Sequence, residues 1–184
     1  MTFMRTLAAL ALAAGPLLAQ TPFEVRATGL IAQGDMNKIT ASNNLAGYSL
    51  EASARLEIKP GLDHRFYLGG RSFRSLAGTG LAGNRAPKHI YFGYDVVYAA
   101  AEKWTLFGGF FGQKWKVDSA DATRPDFTDQ NNRNNVGKGT KLGVRIGTEY
   151  AYNKHWHAVL GFSQTEYNKI YQPGWVDLGL GYRF

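Results

Sequence analysis

The chain has 184 residues, enough for a single domain. It contains no cysteine, which excludes a disulfide framework, a thiolate metal site and lipid attachment through a cysteine. Its 21 basic and 14 acidic side chains give a formal charge of +7, and its 22 glycines are far more than a helical protein carries.

Residues 1–19 have the make-up of a secretory signal peptide. Arg5 supplies the positive start, Leu7 to Leu18 form an apolar run broken at Gly15-Pro16, and Ala19 is the small residue before cleavage at Gln20. That run is too short for a transmembrane helix, which needs about 20 residues. The remaining domain, 20–184, keeps 20 basic and 14 acidic residues once Arg5 is removed. An exported chain meets little nucleic acid, so its basic excess is expected to face the phosphates of lipid head groups instead.

No helical stripe persists from residue 20 onward; alternation of period two recurs in eight segments. Residues 23–33 set Phe23, Val25 and Ala27 against Glu24, Arg26 and Thr28, and the pattern blurs at Leu30-Ile31. The second segment sets Tyr48, Leu50, Ala52, Ala54, Leu56 and Ile58 against Gly47, Ser49, Glu51, Ser53, Arg55 and Glu57. Residues 64–75 place Phe66 and Leu68 opposite Tyr67, Gly69 and Arg71. In the fourth, Ile90, Phe92, Tyr94, Val96 and Tyr98 oppose His89, Tyr91, Gly93, Asp95 and Val97. Residues 104–117 are apolar on both faces from Leu106 to Phe111, so the facing of this segment stays open. The sixth sets Leu142, Val144, Ile146, Thr148 and Tyr150 against Gly143, Arg145, Gly147 and Glu149. Residues 155–167 alternate Trp156, Ala158, Leu160 and Phe162 with His157, Val159, Gly161 and Ser163. The last sets Val176, Leu178, Leu180, Tyr182 and Phe184 against Asp177, Gly179, Gly181 and Arg183.

Connections alternate in length. Short turns fall at 59–63, 100–103 and 153–154, and longer polar loops at 34–44, 77–88, 118–140 and 168–174. Eight hairpin-linked strands with short turns at one end and long loops at the other predict an all-β, up-and-down antiparallel barrel that spans a membrane.

Alternation alone does not say which face points inward; size and charge do. The interior of an eight-stranded barrel is just filled by side chains. Rows of Tyr, Phe and Leu from every strand are expected to overfill it, whereas glycine-rich rows of ion pairs fit. The inward set is therefore Glu24, Arg26, Glu51, Arg55, Glu57, Arg71, Asp95, Arg145, Glu149, Asp177 and Arg183. Facing lipid at the bilayer midplane, each arginine would cost roughly 2–4 kcal/mol. Sealed within, the same groups pair and plug the lumen as an ion-pair network. The set has no lysine, and arginine's planar fork suits packed bidentate pairs. Trp104 and Trp156 after the short turns, Trp115 and Trp175 near the opposite level, and Tyr98, Tyr152, Tyr182 and Phe184 are expected to form two aromatic belts.

The stretch from Trp175 to Phe184 resembles the terminal strand of bacterial outer-membrane barrels, which end in an aromatic residue preceded by apolar residues at every second position. Val176, Leu178, Leu180, Tyr182 and Phe184 match that pattern. As architecture, the whole domain resembles the small eight-stranded barrels of the OmpX, OmpW and OmpA-membrane-domain type, with no subfamily assignable. The resemblance implies residence in the outer membrane, contact with its lipid and lipopolysaccharide, and recognition by the barrel-assembly machinery through this terminal signal.

For function, the first expectation is a non-enzymatic surface barrel with a plugged, charged lumen, acting through external loops. Arg85, Lys88, Lys114, Lys116, Lys141 and Lys169 near the outer strand ends are candidate contacts to lipopolysaccharide phosphates; the plainer view is a solvated polar rim. The alternative is a narrow conduit for small or hydrophobic solutes, as in OmpW-like barrels. A lipid-modifying enzyme has less support. His157 and Ser163 share a face but stand six residues apart, roughly 20 Å along a strand, and no H-x-S deacylase arrangement occurs. His64, His155 and His157 are candidate metal ligands only in the sense that all lie near short turns, where exposed histidines are ordinary. No cofactor, catalytic residue, metal site or nucleic-acid partner is expected.

Overall fold

The computed structural model describes residues 22–35, 45–75, 88–116, 138–166 and 172–184. They form eight strands: β1 (Phe23–Gly34), β2 (Leu45–Lys59), β3 (Leu62–Ser75), β4 (Lys88–Ala99), β5 (Trp104–Lys116), β6 (Lys138–Ala151), β7 (Trp156–Thr165) and β8 (Pro173–Arg183). Each strand pairs antiparallel with the next, and β8 pairs back onto β1 to close the barrel. At the seam Phe184 donates its backbone N–H to the carbonyl of Phe23 at 2.9 Å. Closure leaves the backbone polar groups paired within the wall, the condition for a sheet to cross hydrocarbon.

The three short turns lie at one end, together with Phe23 and Phe184. Gly61, at φ +81°, supplies the left-handed residue that the β2–β3 turn requires. In the β6–β7 turn the Asn153 side-chain oxygen accepts from the amides of His155 (2.9 Å) and Trp156 (2.8 Å). At the other end β4 and β6 reach into what polarity predicts as loop: β4 begins at Lys88, and β6 stays paired to β5 out to Lys138. Ladders bond through the backbone, so polar side chains continue a strand once it has left the apolar band. The interiors of the four long loops, and the signal-like residues 1–19, lie outside the described residues.

Sidedness follows the size argument. Tyr48, Leu50, Phe66, Leu68, Ile90, Phe92, Leu142, Val144, Ile146 and Leu178 are exposed on the outer wall, whereas Glu24, Arg26, Glu51, Arg55 and Glu149 are buried inside. The alternation also holds where the sequence left it open. Leu30 faces in and Ile31 out; Phe107 and Phe111 face in while Leu106 and Phe110 face out. The outward run Ile90–Tyr98 rises roughly 21 Å at the usual strand tilt, most of the height of the apolar band of outer-membrane barrels. Polar groups on this wall have partners: Thr148 donates to the Thr105 carbonyl at 3.0 Å, and the Tyr94 hydroxyl meets His64 Nδ1 at 2.7 Å.

One belt is present at the short-turn end. Trp104, Trp156, Tyr98, Tyr152 and Phe184 are exposed there, and rings touch from Trp104 to Tyr150 (centroids 5.0 Å apart) and from Trp156 through Tyr182 to Phe184 (5.0 Å each). Trp175 does not belong to a belt. It is 0% exposed, inside the barrel, and the side chain of Trp115 lies outside the described residues.

The interior also corrects the expectation that aromatic rows would overfill it. Tyr67, Tyr91, Phe73, Phe107 and Phe111 are all buried in the lumen. Each lies over a glycine directly across the ladder: Tyr67 over Gly93, Tyr91 over Gly69, Phe73 over Gly47, Phe107 over Gly147 and Phe111 over Gly143. A Cβ at any of these glycines would collide with the ring or with neighbouring backbone. The missing side chain is what lets a large ring lie flat against the wall, leaving the axis to the charged groups.

Candidate functional site

The inward positions of six strands converge in the half of the lumen nearer the short turns. Glu24 and Arg26 come from β1, Glu51 and Arg55 from β2, Arg65 from β3, Asp95 from β4, Arg145 and Glu149 from β6, and His157 from β7. Glu24 accepts from Arg55 Nη2 at 3.0 Å and from Arg26, and it meets His157 Nε2 at 3.1 Å. Glu149 accepts from Arg26, Arg55 and Arg65. Asp95 accepts from Arg65 Nε at 2.9 Å and from Arg145 Nε (2.9 Å) and Nη2 (2.6 Å). Arg145 then reaches Glu51 at 2.6 Å. The result is one continuous network tying opposite walls together.

Four arginines (Arg26, Arg55, Arg65 and Arg145) face four acids (Glu24, Glu51, Asp95 and Glu149), so this core is neutral as a whole. The lumen rings support it. Arg145 stacks over Tyr67 at 3.3 Å and Arg65 over Phe107 at 4.5 Å. Arg183 stands at the mouth, 32% exposed, with its guanidinium 3.6 Å from Glu24.

The half nearer the long loops is built differently. Arg71 is packed over Tyr91 at 3.8 Å and over Trp175 at 4.3 Å. Phe73, His89 and Phe111 surround the Trp175 ring at centroid distances of 5.9, 6.2 and 6.0 Å. Asp177 accepts from Ser163 Oγ at 3.1 Å, and Thr28 and Ser49 share a 2.7 Å hydroxyl contact. Between the two halves lies a cavity of about 20 Å³ bounded in part by Thr28, Ser49, Arg71, Tyr91, Ser163 and Asp177. That is room for about one water molecule.

Among the residues that the sequence assigned to the lumen network, the structure brings together Glu24, Arg26, Glu51, Arg55, Asp95, Arg145, Glu149 and, at the mouth, Arg183. Arg71 and Asp177 are in the lumen but outside that connected network. Glu57 is a correction: it is exposed, next to the β-bulge that ends β2, where the strand has already left the barrel interior. Arg65 is a member that sequence reading missed, although it shares the parity of Tyr67 and Arg71 and is 0% exposed.

His157 joins the network, His155 sits exposed against the Arg183 carbonyl at 2.8 Å, and His64 bonds Tyr94 on the outer wall, so the three are not gathered on one metal. Glu24, Glu149 and His157 do bring ligand atoms within 4.8 Å of one another. Their carboxylates already accept from Arg26, Arg55 and Arg65, so a cation there would have to displace guanidinium groups.

Of the rim set, Lys88 and Lys114 are exposed on the outward face at the long-loop ends of β4 and β5. Lys141 is a correction: it is half-buried, shares the inward parity of Arg145 and Glu149 and is paired with the buried Gln113, so it stands at the lumen mouth and not on the lipid-facing rim. Lys116 lies at the end of β5 in register with Lys88. Arg85 and Lys169 lie outside the described residues.

The family model of the outer membrane protein beta-barrel domain matches residues 5–184. The chain belongs to this family. Its place is therefore the bacterial outer membrane, and the short-turn end is the periplasmic one. Solved structures agree on the fold. The barrel is similar to Ail of Yersinia pestis in a phospholipid bilayer nanodisc, with 16% identity, a TM-score of 0.54, and coverage of 90% of this chain and 100% of that one. Neisserial surface protein A is likewise similar, at 16% identity and a TM-score of 0.52, covering 89% and 97%. Ail in complex with the heparin analogue sucrose octasulfate matches at 15% identity and a TM-score of 0.50, covering 89% and 97%. No curated protein sequence matches the chain significantly.

Proposed function

We propose that this outer-membrane barrel is a non-enzymatic surface protein, closed to solutes, that acts through its external loops and through contact with lipopolysaccharide at its outer rim. The observation that carries the reading is the lumen itself. A conduit needs a continuous water path, whereas here cross-wall ion pairs fill one half and packed rings fill the other, with a cavity of about 20 Å³ between. The absence of catalysis belongs to the same proposal. His157 is engaged by Glu24 and Ser163 by Asp177, so the two do not form a nucleophile–base pair. Rim contact is supported by Lys88 and Lys114, which are exposed on the outward face of the strand ends, where outer-leaflet phosphates begin. Insertion through the terminal-strand signal at Val176, Leu178, Leu180, Tyr182 and Phe184 by the barrel-assembly machinery is part of the proposal.

Planar-bilayer recording of the purified protein tests the closed lumen. Quiet traces are expected. Stable open steps of fixed amplitude would overturn the reading in favour of a narrow conduit.

A further inference from the structure

Among the described residues the outer strand ends are uneven in charge. Ladder register sets Lys88 of β4 directly opposite Lys116 of β5, and Lys116 directly opposite Lys138 of β6. Lys114 lies one outward step lower, between Ile90 and Thr140. Neighbouring strands are about 4.8 Å apart, so the three lysine positions span roughly 10 Å at one level. Like charges directly across a ladder oppose pairing, and a lysine row of this kind is stabilised by an anion that bridges it. Across the barrel the described end of β1 carries Asp35 instead.

Just below the lysine row the outer wall has a groove of about 440 Å³. Its apolar floor is Phe110, Leu142 and Val144, all exposed, and Gln164, Glu166 and Gln172 form its polar edge. The groove arises from a step in the wall. β6 remains paired to β5 as far as Lys138, but its pairing with β7 ends at Gly143 and Thr165. Gly112, paired to Leu142, adds no side chain between Phe110 and Lys114.

We propose that this sector is a seat for one phosphorylated glycolipid of the outer leaflet. Its phosphates sit at the lysine row, whose exposed members are Lys88 and Lys114, and one acyl chain lies in the groove over Phe110, Leu142 and Val144. The inference rests on the lipopolysaccharide-contact reading and narrows it to one side of the barrel. Lipid A-type chemistry is favoured over a simple anionic phospholipid because a row of cations about 10 Å long matches two separated phosphates better than one.

The test is native mass spectrometry of the full barrel released from nanodiscs of phosphatidylcholine doped with bisphosphorylated lipid A, its dephosphorylated form, or phosphatidylglycerol. Folding of every variant is checked by its shift on a denaturing gel with and without boiling. One retained lipid A per barrel is expected, with weaker retention of the other two lipids. The variant K88Q/K114Q/K116Q/K138Q should lower lipid A retention by at least about tenfold. Val144→Trp, which fills the groove while leaving the lysines in place, should lower it severalfold, whereas Ala54→Trp on the far wall should not.

If the lysine variant weakens retention but Val144→Trp does not, the seat is overturned while general rim contact stands. Equal retention of phosphatidylglycerol would overturn the choice of lipid A. Unchanged retention in every variant overturns both the seat and the rim reading.

Discussion

Glu149 accepts from arginines on three consecutive strands, Arg26 of β1, Arg55 of β2 and Arg65 of β3. Buried ion pairs gain little over an apolar core of equal volume, but removing one partner leaves a charge stranded. Glu149→Gln keeps the shape and removes the charge, leaving four arginines against three acids in the connected core. The expected loss is about 3–5 kcal/mol, read as a lower urea midpoint for unfolding from lipid vesicles. An unchanged midpoint would mean that the network is screened by water and does not hold the walls together. Arg71 shows the limit of reading pairs from sequence. Its parity places it in the lumen, yet its guanidinium packs over the rings of Tyr91 and Trp175 and stays outside the connected ion-pair network.

Strands in this barrel are matched in pairs by ring and glycine. Tyr67 and Gly93 are cross-strand partners, as are Gly69 and Tyr91 two steps along the same β3–β4 ladder, so the two strands exchange a ring in each direction. Gly93→Ala is expected to push Tyr67 off the wall and disturb the Arg145 guanidinium stacked on it. Overpacking of this kind costs about 1–3 kcal/mol. Gly70→Ala, where an added Cβ would meet only the His89 carbonyl at 3.8 Å, is the near-neutral comparison. Equal urea midpoints for the two variants would contradict the ring-on-glycine account.

These pairs also show why part of the interior was illegible beforehand. Alternation on β2, β4, β6 and β8 was enough to place the charged rows, because every residue of one parity shares a face. It could not show that Phe107 and Phe111 turn inward, since β5 is apolar on both faces. That required knowing which strand supplies the glycine opposite each ring, a matter of register rather than composition. Trp175 was legible from parity, since it shares the face of Asp177, and its ladder partners are the small Ala32 and Ser163. Glu57 failed for a different reason: parity continues past the point where the bulge at the end of β2 takes the strand out of the barrel.

At the scale of the whole molecule, the fold is an inside-out sheet. Large apolar side chains face outward, and a neutral cluster of charge, capped by packed rings, fills the axis. That arrangement makes sense only where the outside is hydrocarbon, because in water the same wall would expose Leu50, Phe66, Phe92, Leu142, Ile146 and Leu178 together. The native tryptophans report both sides. Trp104 and Trp156 are exposed at the periplasmic end of the wall, and Trp175 is sealed inside.

Single-tryptophan variants, the other tryptophans replaced by Phe, allow each position to be read in vesicles containing phosphatidylcholine brominated near the head-group end of its acyl chains. Fluorescence from Trp104 and Trp156 is expected to be strongly quenched and that from Trp175 nearly untouched. Quenching of Trp175 by the lipid, with Trp104 and Trp156 protected, would contradict the sidedness on which the barrel's placement and its closed lumen depend.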